Sequence, residues 1–208
     1  MRQAICITAK RLKKLSPAPS IRRSGCLFLA CLLFQQITPV SVLGAETIDC
    51  PRSFPAHPRL FVNTDEIEAL KAFVEKTPSL NHFVTALIER CDDRLSDIPT
   101  PPSRIENLEN RAISMLARDF SIAYLFTDQK KYANAAATIL LSYTRIYPEY
   151  EITVTKGKAA PSTLNEARWI IDLATAYDLI YNSGTLSDRE KENIEANVFI
   201  PCGEVLRI

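Results

Sequence analysis

Apolar residues follow a helical spacing along most of the chain from residue 63 onward. In each segment they recur three or four positions apart, which places them on one face of a helix. No segment alternates apolar and polar residues for long enough to predict a strand. The pattern therefore predicts an all-α fold, with these inward-facing stripes: Ile67, Leu70, Phe73, Val74; Leu80, Val84, Leu87, Ile88, Cys91, Leu95; Ile113, Leu116, Phe120, Ala123, Tyr124; Tyr132, Ala136, Ile139, Leu140, Tyr143; Trp169, Leu173, Ala176, Tyr177.

Residues that start and stop helices mark the ends of these segments. A long helix is predicted over 105–126, another over 164–181 and a last one from 188 to about 199, with irregular breaks at 97–103 and 148–162. Small polar residues that cap a helix, acids in its first turn and proline at its first position are the usual starting signals. The predicted starts are Asn63 or Thr64, Thr77 with Pro78, Asp128, Thr163 with Glu166, and Ser187 with Glu190, and the predicted stop is Asn182-Ser183-Gly184.

About six helices joined by short turns favour antiparallel helical hairpins. A tetratricopeptide-like array would show a repeat of fixed period, and none is present. An (α/α) toroid, in which hairpins of inner and outer helices close into a ring, fits better. Only residues 201–208 follow the last predicted helix. A closed ring needs more helices, so the pattern predicts an incomplete (α/α) toroid over 63–208.

The first 45 residues have the layout of a secretory signal peptide. Seven basic residues and no acid occur there, an apolar run follows at 26–34, and the small residues Gly44 and Ala45 come next. This order is typical of an exported protein, and the apolar run is short for a membrane span. A buried helix of a soluble protein is the alternative. We expect a periplasmic or secreted protein with no stable membrane anchor once the signal 1–45 is removed.

The charge and the cysteine content limit which partners, metals and disulfides the protein can be expected to have. Of 25 basic and 24 acidic residues, 18 basic and all 24 acidic ones lie beyond residue 45, a net charge of about −6 there. A global basic surface is absent, so a nucleic-acid partner is not expected. Cys50, Cys91 and Cys202 remain after the leader, and no Cys or His spacing predicts a metal. One disulfide among these three is possible, and Cys91 also fits a core position.

Three stretches, in order, resemble the start of the alginate lyases and heparinase II/III-like polysaccharide lyases. A lead-in at 46–62 ends in His57-Pro-Arg-Leu-Phe-Val and is followed by Asp65-Glu-Ile-Glu-Ala-Leu-Lys71. The second stretch is Ala123-Tyr-Leu-Phe-Thr-Asp-Gln-Lys-Lys-Tyr132. The third runs from Leu164-Asn-Glu-Ala-Arg-Trp169 through Ala176-Tyr-Asp-Leu-Ile180 to Leu186-Ser-Asp-Arg-Glu190 and Ile194-Glu195.

The resemblance implies β-elimination on a uronic-acid polysaccharide such as alginate or a heparin-like chain, with no cofactor. In such lyases a cation or hydrogen-bond donor neutralises the uronate carboxylate, and Tyr and His transfer protons. The resemblance also implies that the catalytic Asn-His pair and Tyr lie after the third stretch. We therefore expect an N-terminal lyase fragment, inactive alone, with an acidic polysaccharide as its partner and catalytic residues beyond residue 208.

Asn165, Arg168 and Trp169 are the candidate substrate-binding residues. Arg168 suits bidentate contact with a uronate carboxylate, or it forms an exposed ion pair with Asp172. Trp169 stacks on a sugar, or it packs in the core with the apolar residues on the same helix face, Leu173, Ala176 and Tyr177. Glu166 is interpreted as a capping-box residue, with a general base as the alternative, and Tyr177 and Asp178 are interpreted as structural.

The two histidines, His57 and His82, have no partner at ligand spacing, so catalysis by either is not expected. Lys156 and Lys158 lie in the long loop, where they guide an acidic glycan or are simply solvated. Two other function classes remain open: a non-catalytic helical module that binds glycan or protein, and a toroid glycoside hydrolase, which needs two opposed carboxylates.

Overall fold

The computed structural model describes residues 54–207, and regular secondary structure in this range is entirely helical. The predicted all-α fold is confirmed. The signal segment 1–45, Cys50 and the first part of the lead-in lie outside the described residues. The helices are α1 (Thr64–Lys76), α2 (Pro78–Arg94), α3 (Asn107–Thr127), α4 (Lys130–Ile146), α5 (Thr163–Ile180), α6 (Asp188–Ile194) and α7 (Ile200–Arg207), with a 3₁₀ turn at Tyr147–Glu149.

Local capping explains where several helices begin. Asn63 accepts hydrogen bonds from the backbone of Asp65 and Glu66, and Glu66 bonds back to the Asn63 backbone. Ser187 and Glu190 form the same reciprocal box at the start of α6. Each box satisfies backbone N–H groups that the first helical turn leaves unpaired. These two predicted starts are confirmed.

Two other predicted caps are wrong. Asp128 does not start α4, because it ends α3 in the left-handed region (φ 55°), and Gln129 precedes the first residue of α4. Asp128 instead forms an ion pair with Lys71 of α1 at 2.7 Å. At the start of α5 the cap is Ser162 rather than Thr163, and the Glu166 side chain turns away into the preceding loop.

The last predicted helix continues well past residue 199. A five-residue π-helical segment, Glu195–Phe199, joins α6 to α7 without a break. Pro201 has no N–H to offer the carbonyl four residues earlier, and a proline in this position crowds that carbonyl. The wider π turn next to Pro201 is one of the ways in which a helix accommodates such a defect. The segment from residue 201 is thus helical as far as Arg207.

The central helices α3 and α5 lie side by side in one layer, and α4 lies against both of them. Arg118 of α3 pairs with Asp172 of α5, and Asn110 near the start of α3 bonds to Ala159 just before α5. Further along, Ile122 and Phe126 of α3 line one groove with Thr175 and Leu179 of α5. Residue numbers rise together in both helices, so α3 and α5 are parallel neighbours. Helix α4 follows α3 after a two-residue turn and runs back against both of them.

Small residues let these helices approach closely. Ala133, Ala136 and Ala137 of α4 and Ala117 and Ala123 of α3 are buried. Larger side chains fill the space around them, which gives a continuous core of the kind expected for a stable helical layer. The bulky buried residues are Phe120, Tyr132, Ile139, Leu140, Tyr143, Tyr147, Trp169, Leu173, Ile180, Ile194 and Val198.

None of the helices between residues 54 and 207 is both long and apolar enough to cross a membrane.

Candidate functional site

All three predicted substrate-binding residues lie in the first half of α5, in different surroundings. Asn165 is half-buried, Arg168 is exposed and Trp169 is buried. The Arg168 guanidinium makes no hydrogen bond or ion pair with any residue of 54–207, and neither does the Asn165 amide. Asn165 and Arg168 are three positions apart on one face, so both polar groups are available together. A binding role for the three residues stays a prediction.

Trp169 occupies the centre of an aromatic cluster. Its ring stacks on Tyr147 (centroids 4.9 Å apart, 17° between planes) and meets Tyr143 edge-on at 5.1 Å. The indole Nε1 is buried and lacks a hydrogen-bond acceptor of suitable geometry among the described residues. Burial raises the pKa of Tyr143 and of Tyr147 above the ordinary phenol value, so both hydroxyls are neutral donors. The position matches the core interpretation of this tryptophan.

Asp172 does not pair with Arg168. Its Oδ1 accepts from Nη1 of Arg118 on α3 at 2.7 Å, and Ser114 Oγ lies 3.4 Å from Oδ2. Arg118 also bonds to Asp119, its neighbour in sequence. The carboxylate of Asp172 is nearly buried, and a paired cation reduces the cost of burying it. Arg168 is left as an exposed cation.

Arg111 of α3 was not among the predicted site residues. It lies on the same face of α3 as Ser114 and Arg118, one turn towards the start of the helix. In the register set by the Arg118–Asp172 pair, Arg111 is level with Asn165 of α5, one turn before Arg168. Nη1 of Arg111 is buried without a hydrogen-bond partner among residues 54–207. We call Arg111, Asn165 and Arg168 the α3–α5 basic face, and its two guanidinium groups have no carboxylate partner in the described chain.

Glu166 is fully buried and holds the long loop in place. Its Oε2 accepts hydrogen bonds from the backbone N–H groups of Lys158, Ala159 and Ala160 at 2.8–2.9 Å. Its Oε1 accepts from the Tyr147 hydroxyl at 2.7 Å. Four donors satisfy one carboxylate, which offsets the cost of its burial. The interpretation of Glu166 as a capping-box residue is therefore wrong, because its partners are in the loop.

Of the two lysines in this loop, Lys158 has a side chain that contacts other residues of the protein. Lys158 donates to the Pro148 carbonyl at 3.1 Å and lies 5.0 Å from the centre of the Tyr147 ring. Burial lowers its pKa. Lys156 is exposed and adopts a positive φ of 59°. Contact of either lysine with an acidic glycan stays a prediction.

Asp178, near the end of α5, fixes the lead-in segment. Its Oδ2 accepts from the backbone N–H groups of Arg59 and Leu60, both at 2.9 Å. Its Oδ1 lies 2.5 Å from Nδ1 of His57, whose ring stacks on Tyr181 at 4.0 Å. Asn182 adds a bond to the His57 carbonyl at 2.6 Å. The structural interpretation of Asp178 is confirmed, whereas His57 has a partner that its sequence position did not reveal.

A cavity of about 260 Å³ lies beside this contact. Tyr177 donates its hydroxyl to Oε1 of Glu195 at 2.6 Å across one wall, and Phe199 packs against the Tyr177 ring at 5.1 Å. Burial and the adjacent Glu195 carboxylate raise the pKa of Tyr177, which stays protonated. We call this the His57 pocket; it is lined by His57, Arg59, Leu60, Ala174, Tyr177, Asp178, Glu195 and Phe199.

The described residues offer no metal centre and no disulfide. No group of three or more His, Cys, Asp or Glu side chains within 54–207 is arranged to hold a metal ion. Cys91 and Cys202 are both buried free thiols. Burial raises the pKa of each to about 12. His82 is exposed on α2 and takes no part in either the basic face or the His57 pocket.

Comparison with known proteins finds a distant similarity between this chain and a polysaccharide lyase. No family model matches the chain. The chain is 24% identical over 163 residues to an exo-oligoalginate lyase of Saccharophagus degradans, an alignment that covers 73% of this chain and 22% of that protein. The chain thus spans about a fifth of the length of this relative. The similarity is low, and it indicates a relationship to polysaccharide lyases.

Proposed function

We propose that these helices form the N-terminal part of an (α/α) toroid in a polysaccharide lyase that acts on uronic-acid polysaccharides. The observation that carries the proposal is the similarity to an exo-oligoalginate lyase over 163 residues. The parallel neighbours α3 and α5, with α4 returning behind them, are also the arrangement that inner and outer toroid helices require. In this proposal the chain binds the polymer, and the residues that perform β-elimination lie outside it.

The α3–α5 basic face is the proposed contact with the polymer. Two guanidinium groups without carboxylate partners among the described residues are suited to the carboxylates of successive uronates. Arg111 contributes a guanidinium whose Nη1 has no hydrogen-bond acceptor among residues 54–207. The Asn165 amide supplies neutral donors and an acceptor for sugar hydroxyls. Trp169 has a supporting role in this proposal, because its ring is buried against Tyr143 and Tyr147 and so holds α5 in the core.

Export follows from the same proposal, since a polymer-degrading enzyme meets its substrate outside the cytoplasm. The basic and apolar segments of 1–45 are proposed to direct the chain to the periplasm or the medium. N-terminal sequencing of the protein recovered from the periplasmic fraction tests this. A mature chain that starts close to residue 46 is expected, and an intact Met1 in the cytoplasmic fraction would contradict it.

Binding of alginate oligosaccharides to the full chain tests the basic face. We expect measurable binding by calorimetry that weakens with salt, and an approximately tenfold loss for Arg168→Ala, the size of one charge-assisted contact. Arg145→Ala is the matched control, because Arg145 is an exposed arginine of α4, in the other layer. Equal effects of the two substitutions, or equal binding of a neutral oligosaccharide, would contradict the proposed contact.

Ultraviolet absorbance of the unsaturated uronate product tests where the chemistry lies. We expect that this chain alone forms no unsaturated uronate product from alginate or heparin-like polymers. Steady growth of the absorbance would show that residues 1–208 contain a complete site, and would overturn the assignment of catalysis to residues outside the chain.

A further inference from the structure

The His57 pocket is a second candidate binding site, formed by three separate parts of the chain. The lead-in contributes His57, Arg59 and Leu60, the end of α5 contributes Tyr177, and the π-helical segment contributes Glu195 and Phe199. π-Helical turns cost stability and are found frequently at functional sites. Here that turn supplies both a carboxylate and an aromatic ring to the same cavity.

Two polar atoms of this pocket have no hydrogen-bond partner among the described residues. Oε1 of Glu195 accepts from Tyr177, whereas Oε2 has no partner among the described residues. Asp178 already accepts two backbone N–H groups, and an ionised carboxylate can only accept, so the proton between it and His57 belongs to Nδ1. Nε2 of His57 has no hydrogen-bond partner among the described residues. The Asp178 contact fixes the orientation of the ring.

The charge of the lining selects the ligand. Asp178 and Glu195 are acidic and Arg59 is basic, so these three lining side chains together carry a net charge of about −1. An anionic ligand is disfavoured by this charge, and a ligand rich in hydroxyl donors is favoured. The side chains of Leu60, Ala174 and Phe199 supply an apolar wall for the carbon face of a ring. The volume of about 260 Å³ admits one six-membered sugar ring.

We propose that the His57 pocket binds one uncharged pyranose residue, with its hydroxyls donating to Glu195 and hydrogen-bonded to His57, and its carbon face on Phe199. This site is separate from the α3–α5 basic face and has the opposite preference for charge. It does not depend on the lyase proposal, since it rests on the pocket alone.

Saturation-transfer NMR on the full chain tests the proposal with two probes that differ only at C6, methyl glucoside and methyl glucuronide. Strong transfer to the glucoside and little to the glucuronide is expected. Glu195→Gln keeps an acceptor for Tyr177 but removes the charge, and it should weaken glucoside binding by about tenfold, as loss of a charge-assisted hydrogen bond does. Phe199→Leu should also weaken it while preserving an apolar side chain.

Glu192→Gln is the matched control, because Glu192 is an exposed glutamate one turn earlier in the same continuous helix and does not line the pocket. Its binding should equal that of the unchanged protein, and thermal unfolding of each variant verifies folding. Equal transfer to both glycosides, transfer to neither, or unchanged binding in Glu195→Gln would overturn the proposal. Loss of alginate binding at the basic face would leave this result unaffected.

Discussion

At the scale of single residues, three buried carboxylates of α5 each hold a different part of the molecule. Glu166 bonds to the loop backbone, Asp172 to Arg118 of α3, and Asp178 to the lead-in. A buried charge is costly unless it is fully hydrogen-bonded or paired. Each of these acids meets that condition with partners in another segment. Helix α5 therefore organises its neighbours through side-chain acceptors as well as through apolar contact.

Removing the Glu166 carboxylate should be strongly destabilising. Glu166→Ala leaves two buried N–H groups, one partly buried N–H group and the Tyr147 hydroxyl without an acceptor, at about 1 kcal/mol or more for each. We expect the free energy of unfolding to fall by about 3–5 kcal/mol. Tyr147→Phe removes one donor only and should cost about 1–2 kcal/mol. Chemical denaturation compares the two; similar losses would show that the loop contacts of Glu166 contribute little.

Local sequence patterns could not find these contacts. A capping box joins residues three apart, and Thr163 with Glu166 has that spacing. The real partners of Glu166 are six to eight residues away in the loop and at Tyr147, and those of Asp178 are about 120 residues away. The same limit applies to Arg111. The burial of its guanidinium nitrogen depends on how α3 packs against its neighbours, which the sequence pattern does not give. The aromatic core residues Tyr132 and Tyr143 were predictable, because helical spacing alone identifies them.

At the scale of elements, helix interiors were predicted better than their ends. The spacing of apolar residues locates α1 to α6, and the Asn63 and Ser187 caps are those that the sequence predicts. The continuation through Pro201 was missed, because proline is ordinarily a stop signal and the compensating π turn has no clear sequence pattern. That turn also brings Glu195 to the His57 pocket.

Two glycines should respond in opposite ways to alanine. At Gly157 a Cβ atom would lie 1.9 Å from the Ala160 carbonyl oxygen, inside the loop that Glu166 holds. Gly157→Ala should lower the free energy of unfolding by about 2 kcal/mol or more, since backbone must move. At Gly203 in α7 a Cβ meets nothing within 4 Å, so Gly203→Ala should raise it by up to about 1 kcal/mol. Denaturant titration measures both, and a stable Gly157→Ala protein would mean that the loop adapts freely.

The capping box of α6 should make stability depend on pH in mildly acidic solution. The backbone and hydroxyl of Ser187 donate to Glu190 and lower its pKa below the ordinary value of 4.5. A carboxylate whose pKa is lower in the folded protein than in the unfolded chain stabilises the fold at pH values above its unfolded-state pKa. This stabilisation is lost as the pH falls through its folded-state pKa. The difference in Tm between the unchanged protein and Glu190→Ala should therefore persist down to about pH 5 and shrink below it. Glu192→Ala, without a bond to Ser187, is the control, and a difference independent of pH would contradict the linkage.

At the scale of the whole molecule, the sequence predicts hairpins but not how they stack. Helical spacing and short turns give antiparallel pairs, whereas the parallel register of α3 and α5 depends on the Arg118–Asp172 pair and on small residues that allow close approach. One core then extends from α2 to α7, since Cys91, Trp169 and Cys202 all belong to it. Such a shared core predicts that helices α2 to α7 unfold as one cooperative unit.

Thiol labelling measures that cooperativity. Cys91 of α2 and Cys202 of α7 are buried, and their pKa values of about 12 keep both thiols protonated and unreactive at neutral pH. In native buffer, alkylation followed by peptide mapping should leave both unmodified. In increasing denaturant the two should become reactive together, because exposing either one requires opening the shared core. If Cys202 is labelled at a lower denaturant concentration than Cys91, α6 and α7 open first as a separate unit. In that case the His57 pocket, which takes Glu195 and Phe199 from the adjoining π turn, would be lost before the α3–α5 basic face.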